Sequence, residues 1–211
     1  MHSMPRSADP AAPPIQPARP LGRSLPWLLL AGGAIGLVAA FVLTIEKFTL
    51  AIDPTYSPSC SINPVLNCGS VMDTPQAAAF GFPNSLIGIA GFAVVASIGA
   101  AMLAGAVFAR WFWAATQFGI TAAMIFVHWL IVQSVYEIGA LCPYCMAVWA
   151  VTVPIFWYVT VRNLDLAVRS PGPRRWVDWL IRNHSIPVTV WFLALITLIA
   201  QRFWAYWSTL L

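Results

Sequence analysis

Charge is scarce in this chain. Only 9% of its 211 residues are Asp, Glu, Lys or Arg, and Lys47 is the sole lysine. A soluble domain of this length needs a charged surface, so a water-exposed globule is excluded. Histidine is nearly absent too, with three in all, and cysteine is limited to Cys60, Cys68, Cys142 and Cys145. A C-x7-C followed far downstream by a C-x2-C fits no common zinc module, and there are too few histidines to complete one. No metal site is expected.

What the chain has instead is apolar length: 60% of its residues are hydrophobic, and they come in runs. Residues 25–45, 86–109, 111–136, 141–161 and 186–207 each approach the roughly 20 residues that cross a hydrocarbon core. Backbone polar groups find no water there, so each run must be a helix. The expected fold is all-α, a polytopic membrane protein with five spans. The first run is too long for a secretory leader, and Glu46-Lys47 follows it without a small-residue cleavage site. Residues 1–24, rich in proline and scattered arginine, bury nothing and are expected to be disordered. Residues 25–211 form the transmembrane domain, and residues 47–83 form its one long loop.

The few charges orient the bundle. With the N-terminus in the cytoplasm, Arg6, Arg19, Arg23, Arg110, Arg162, Arg169, Arg174, Arg175 and Arg182 fall inside. Only Lys47 and Arg202 fall near the outer ends. That is a positive-inside pattern, and it makes the net charge of +4 a topology mark rather than a nucleic-acid footprint. The loop 47–83 and the turn Glu137-Ile138-Gly139-Ala140 then lie outside the cytoplasm. All four cysteines face the compartment where disulfides persist, such as a periplasm beyond an inner membrane or an ER lumen.

The two cysteine pairs differ in setting. Cys60 and Cys68 sit in a loop broken by Pro54, Pro58, Pro64 and Pro75, with Asn67 and Gly69 permitting tight turns. If paired, they make either a static staple or an exposed, labile disulfide suited to thiol exchange. Cys142-Pro143-Tyr144-Cys145 opens the fourth span. Pro143 suits a first helical turn, which puts Cys142 at the N-cap and Cys145 one turn in. Unpaired N–H groups and the helix dipole favour a thiolate there. Glutaredoxin-like folds also carry Cys-Pro-Tyr-Cys, but in a soluble βαβ context that this chain lacks.

The order of these features is distinctive: an outer-loop C-x7-C, then Phe82-Pro83-Asn84-Ser85 opening a helix, then C-x-x-C opening the fourth. Over about Pro26 to Val161 the chain resembles the vitamin K epoxide reductase family, in its bacterial disulfide-forming branch. The resemblance implies a four-helix bundle around a quinone (menaquinone or ubiquinone), with the loop over its outer opening and the fifth helix additional. It implies that Cys142 and Cys145 are the active-site pair, with Cys145 facing the quinone. Cys60 and Cys68 become the shuttle pair, Cys68 bridging transiently to Cys142 and Cys60 meeting the partner. Asn84 matches a residue that hydrogen-bonds a quinone oxygen. Thr74 stands where many members have serine, and Trp149 where many have tyrosine, leaving an aromatic wall without a hydroxyl. No fused thioredoxin-like domain follows, so the thiol donor is expected to be a separate thioredoxin-fold protein.

Other readings compete. The disulfide bond formation protein B family also couples quinones to disulfides, but carries its C-x-x-C ahead of its second dithiol. Vitamin K epoxide or quinone reduction would use the same relay, and a membrane scaffold with structural disulfides would use none. His128, inside the third span, either donates a proton or holds a neighbouring helix. Glu137 tunes a thiol or simply ends a solvated helix. Gly32, Gly36, Gly88 and Gly91 are expected to serve helix packing. Trp27, Trp111, Trp176 and Trp207 suit interfacial belts, and the sequon Asn183-His184-Ser185 falls on the cytoplasmic side, where it carries no modification.

Overall fold

The computed structural model describes residues 20–168 and 171–209. Most of the expected disordered tail, residues 1–19, lies outside them. Residues 20–24 do not belong to it, because α1 runs from Pro20 to Ile52. The other elements are α2 (Cys68–Met72), α3 (Asn84–Leu103), α4 (Arg110–Val132), α5 (Pro143–Ala167), α6 (Pro171–Arg182), α7 (Ser185–Arg202) and α8 (Trp204–Trp207). Among the described residues, five helices are long and apolar enough to cross a membrane: Ser24–Ile52, Asn84–Leu103, Arg110–Ile138, Pro143–Ala167 and Ser185–Arg202. The protein is an all-α, multi-pass membrane protein.

The spans differ from expectation mainly at their ends. Charge at Glu46-Lys47 does not stop α1, which carries both residues one and a half turns further. The third span ends in a π-helical turn, Gln133–Ile138, closed by Gly139 at φ 70°. That wide turn and its left-handed cap reverse the chain within a few residues. Ser134 Oγ secures the reversal by donating to Ala140 O at 2.5 Å. The amphipathic α6 was not foreseen. Its Arg174 pairs with Asp165 of α5 at 2.6 Å and with its own Asp178 at 3.2 Å.

Helix α1 is the axis of the bundle, packed along α3 and α5, while α4 leans on α5. Small residues let α1 and α3 touch: a Cβ at Gly33 would stand 2.5 Å from Ala96 N, and one at Gly99 would strike the Leu29–Leu30 backbone. Of the glycines expected to pack, Gly32 meets Ile155, Gly36 meets the Phe92 ring and Gly88 meets Ala40. Gly91 has no neighbour within 4 Å of a would-be Cβ. It lines an open groove of about 610 Å³ between α3 and α4, floored by Thr152 and Ile155 of α5. Across α4 and α5, Gln117 donates to Thr160 at 2.9 Å and accepts from Asn163 at 3.0 Å.

His128 holds the fifth span. Trp191 Nε1 of α7 donates to His128 Nε2 at 2.9 Å, and His128 Nδ1 lies 2.9 Å from Met124 O. An indole can only donate, so Nε2 is the acceptor and Nδ1 carries the proton. Both ring nitrogens are used and the ring is off the cavity described below, which favours the structural reading. Trp191→Phe should cost about 1 kcal/mol, the scale of interhelical hydrogen bonds in membranes. Thermal unfolding in detergent would register that loss, with turnover nearly unchanged.

Candidate functional site

The outer loop is a folded cap rather than a mobile strap. Asn67 N-caps α2, its side chain accepting from Ser70 N. Asn63 turns the chain by accepting from Val65 N and Leu66 N. The cap then docks on the Cys142 turn through two backbone bonds, Asn67 N–H to Leu141 O at 2.9 Å and Leu141 N–H to Val65 O at 2.7 Å. These form a one-residue parallel bridge between Leu66 and Leu141. It sets a register in which Cys68, two residues past Leu66, faces Cys142, the residue after Leu141.

The sulfur geometry follows from that register. Cys60 and Cys68 form a disulfide with Cα atoms 5.6 Å apart, while Cys142 and Cys145 are free thiols. Cys68 Sγ lies 3.1 Å from Cys142 Sγ. The disulfide is not exposed as the loop's composition suggested: Cys60 is 4% exposed and Cys68 and Cys142 0%. Burial follows from Met72, Leu43, Leu50 and Val71 closing round the sulfurs. The sulfurs of Cys60, Cys68 and Cys142 lie within 4.8 Å of one another, but two of them are spent on each other in a disulfide.

Cys142 is the N-cap residue of α5, with Pro143 in the first turn, as the motif predicts. Its sulfur accepts from Cys145 N at 3.4 Å. A hydrogen bond from the Cys145 thiol, helped by backbone N–H groups of Cys145 and Tyr144, holds the Cys142 thiol below its ordinary value. Burial and the Glu46 carboxylate push the other way. A lowered thiol is the better leaving group and nucleophile for exchange at Cys68.

Cys145, half-buried, opens on a cavity of about 140 Å³ beneath the cap, lined by α1, α3, α4 and α5. Asn84, Thr74 and Trp149 line the same cavity, so all three predicted ring-binding residues meet the inner cysteine there. Trp149 is 2% exposed and forms its wall. Thr74 Oγ1 donates to Val71 O at 2.7 Å. Asn84 Nδ2 donates to Gln76 O at 2.7 Å and its Oδ1 accepts from Ala79 N at 3.1 Å. It fixes the cap's 3₁₀ turn at Pro75–Ala78 over the cavity. Gly88 lines both this cavity and the α3–α4 groove, so the two spaces are neighbours. Such a pair of neighbouring spaces suits a flat ring with an apolar tail: a partly open pocket holding an amide and a thiol, beside an apolar trough.

The family model of the vitamin K epoxide reductase family matches residues 27–160. The chain belongs to that family. No curated protein matches it. The matched segment holds α1 to α5 with both cysteine pairs and stops before α6 and α7. Membership makes the protein a membrane thiol oxidoreductase built on a cysteine pair, in a family whose members use quinones.

Several site residues gave no signal in the sequence. Gln133 bonds Gln76 across the cavity mouth at 3.2 Å, yet a lone glutamine near the end of an apolar run reads as a frayed helix. Lys47 Nζ donates to Met72 O at 2.5 Å and lines the cavity, though it reads as a topology charge. Glu137 is exposed and stands at a solvated helix end.

Proposed function

We propose that this protein re-oxidises a separate thioredoxin-fold protein on the non-cytoplasmic side of a cell membrane and passes the electrons to a membrane quinone. The observation that carries the reading is the 3.1 Å approach of Cys68 to Cys142, with Cys145 of the same motif opening on a cavity beneath the cap. A scaffold stabilised by disulfides has no use for two free thiols packed against a third sulfur.

The exchange runs in balanced steps. A partner thiolate attacks Cys60, the Cys60–Cys68 bond breaks, and Cys68 leaves as a thiolate. The partner's second thiol resolves the mixed disulfide, so the partner departs oxidised and Cys60 is left reduced. Cys68 then attacks Cys142 of a Cys142–Cys145 disulfide, and Cys145 leaves as a thiolate facing the cavity. Cys60 attacks Cys68, restoring the outer disulfide and leaving Cys142 reduced. The structure stands at this point, with the outer pair closed and the inner pair as thiols. A quinone bound below the cap would supply a two-electron, two-proton acceptor, and Cys142–Cys145 would close again. Asn84 and Thr74 would orient the ring, Trp149 would wall it, and the cap would exclude water.

Because Cys60 is buried, the cap must lift at its Ser59–Cys60 edge for a partner to reach it. The positive-inside charges support placing this cap outside the cytoplasm.

Reconstitution tests the whole reading. In quinone-loaded bilayers without oxygen, a reduced thioredoxin-fold donor should be oxidised one-for-one with quinone reduction, and not at all without quinone. Thiol oxidation indifferent to quinone would refute it. Within the same assay Asn84→Ala should raise the quinone KM by about tenfold, the scale of one lost hydrogen bond. Exchange between the cysteine pairs should suffer less. Equal loss of both would make Asn84 a support for the cap alone.

A further inference from the structure

Glu46 is a buried carboxylate that the electron path does not use. It is 6% exposed, at the outer end of α1. Removing a carboxylate from water is costly unless donors replace the lost solvent. Here they do: Ser59 Oγ donates to Oε1 at 2.6 Å, and Ser59 N–H approaches both oxygens at 3.3 and 3.4 Å. The Tyr56 phenol, drawn towards the same carboxylate, holds its proton more tightly as a result. Ser59 immediately precedes Cys60. Its hydroxyl lies 3.5 Å from the phenol of Tyr144, the residue between Pro143 and Cys145.

The next residue grips the other flank of the same disulfide. Lys47 Nζ reaches Met72 O, at the end of the short helix that Cys68 begins. Two adjacent residues of α1 thus hold the two arms of the Cys60–Cys68 ring, one ahead of Cys60 and one beyond Cys68. The Lys47 arm is also tied by the Leu66–Leu141 bridge and the α2 cap. The Cys60 arm is prolines and bends, and Glu46 is its main polar tether.

We propose that Glu46 is the positioning residue that latches the Cys60 arm shut. Its bonds to Ser59 hold the outer disulfide against Cys142 for internal transfer, and their release bares Cys60 to an incoming thiol. The inference rests on the relay proposed above. It assigns the step that divides the cap's two tasks to one carboxylate, with Tyr56, Tyr144, Lys47 and Cys142 as the ionisable groups around it.

Two quinone-independent measurements on the full chain in bilayers test it. One is the rate at which dithiothreitol opens Cys60–Cys68. The other is the yield of a Cys68–Cys142 bridge in a Cys145→Ala background. Glu46→Ala should raise the first and lower the second, each by about tenfold or more, the scale of a hydrogen bond to a charged group. Glu46→Gln keeps an oxygen for the Ser59 hydroxyl and should restore both towards wild type. Ser59→Ala should repeat the direction with Glu46 intact, and it decides the matter if Glu46→Ala does not accumulate. No change in either quantity, or a fall in both, overturns the latch. Failure of quinone coupling would leave both measurements readable, so the two proposals fail separately.

Discussion

Cys145→Ala protein should accumulate a Cys68–Cys142 disulfide without any added oxidant. In the native chain two thiols can resolve that bond, Cys60 by attack on Cys68 and Cys145 by attack on Cys142, and the variant keeps only Cys60. Without Cys145, the Cys142 thiolate attacks Cys68 across 3.1 Å, the Cys60–Cys68 bond breaks, and Cys60 is released as the only free thiol. One disulfide is exchanged for another, so electrons and protons balance within the chain. Peptide mapping after acid quench and alkylation should find the 68–142 cross-link in a substantial fraction of molecules, with label on Cys60, the rest holding Cys60–Cys68 in exchange with it. Turnover should fall by roughly a thousandfold or more, as when a covalent nucleophile is deleted. A cross-link from Cys60 instead, or none, would mean that the cap docks in another register.

The second large effect concerns that register. Asn67→Pro removes the N–H that meets Leu141 O, removes the side chain that caps α2, and demands a φ near −65° where the backbone holds −142°. The cap should lose its footing over Cys142, and the cross-link seen with Cys145→Ala should fall to background in the double variant. The spans do not depend on the cap, so helical circular dichroism should persist. Asn67→Ala, which spares the backbone bond, should cost only about 1 kcal/mol, the usual worth of a cap. Equal effects from the two substitutions would assign the register to the cap side chain rather than to the bridge.

These two cases show where the sequence is legible. The five apolar runs declare the spans because hydrocarbon leaves a chain no alternative to helix. Cys142-Pro143 declares the start of α5 because proline and an N-cap sulfur have few other places to sit. Thr74, Asn84 and Trp149 could be assigned through family resemblance, and the fold brings all three to one cavity with Cys145. The cap was misjudged. Its prolines and short polar residues suggest mobility, but Asn63, Asn67 and the Leu66–Leu141 bridge order it through contacts far apart in sequence. Glu46 gave no signal for a related reason. A charge at the end of an apolar run normally marks the water boundary, and only the folded cap turns it into a buried acceptor for Ser59.

The fifth span shows the same limit. Its hydropathy announces a helix, while its attachment depends on Trp191 meeting His128 and on Phe203 joining the cluster that backs Leu141 and Trp149. No period in the sequence encodes those meetings.

Rapid-quench alkylation tests the central claim most directly, with reduced thioredoxin-fold donor added to the fully oxidised protein in quinone-free bilayers. Thiol label should appear on Cys60 and Cys68 first, and on Cys142 and Cys145 only afterwards, as the outer disulfide re-forms. A Cys60→Ser, Cys68→Ser variant should leave the inner disulfide closed for the whole time course. Opening of Cys142–Cys145 by the donor at an undiminished rate in that variant would contradict a relay through the cap.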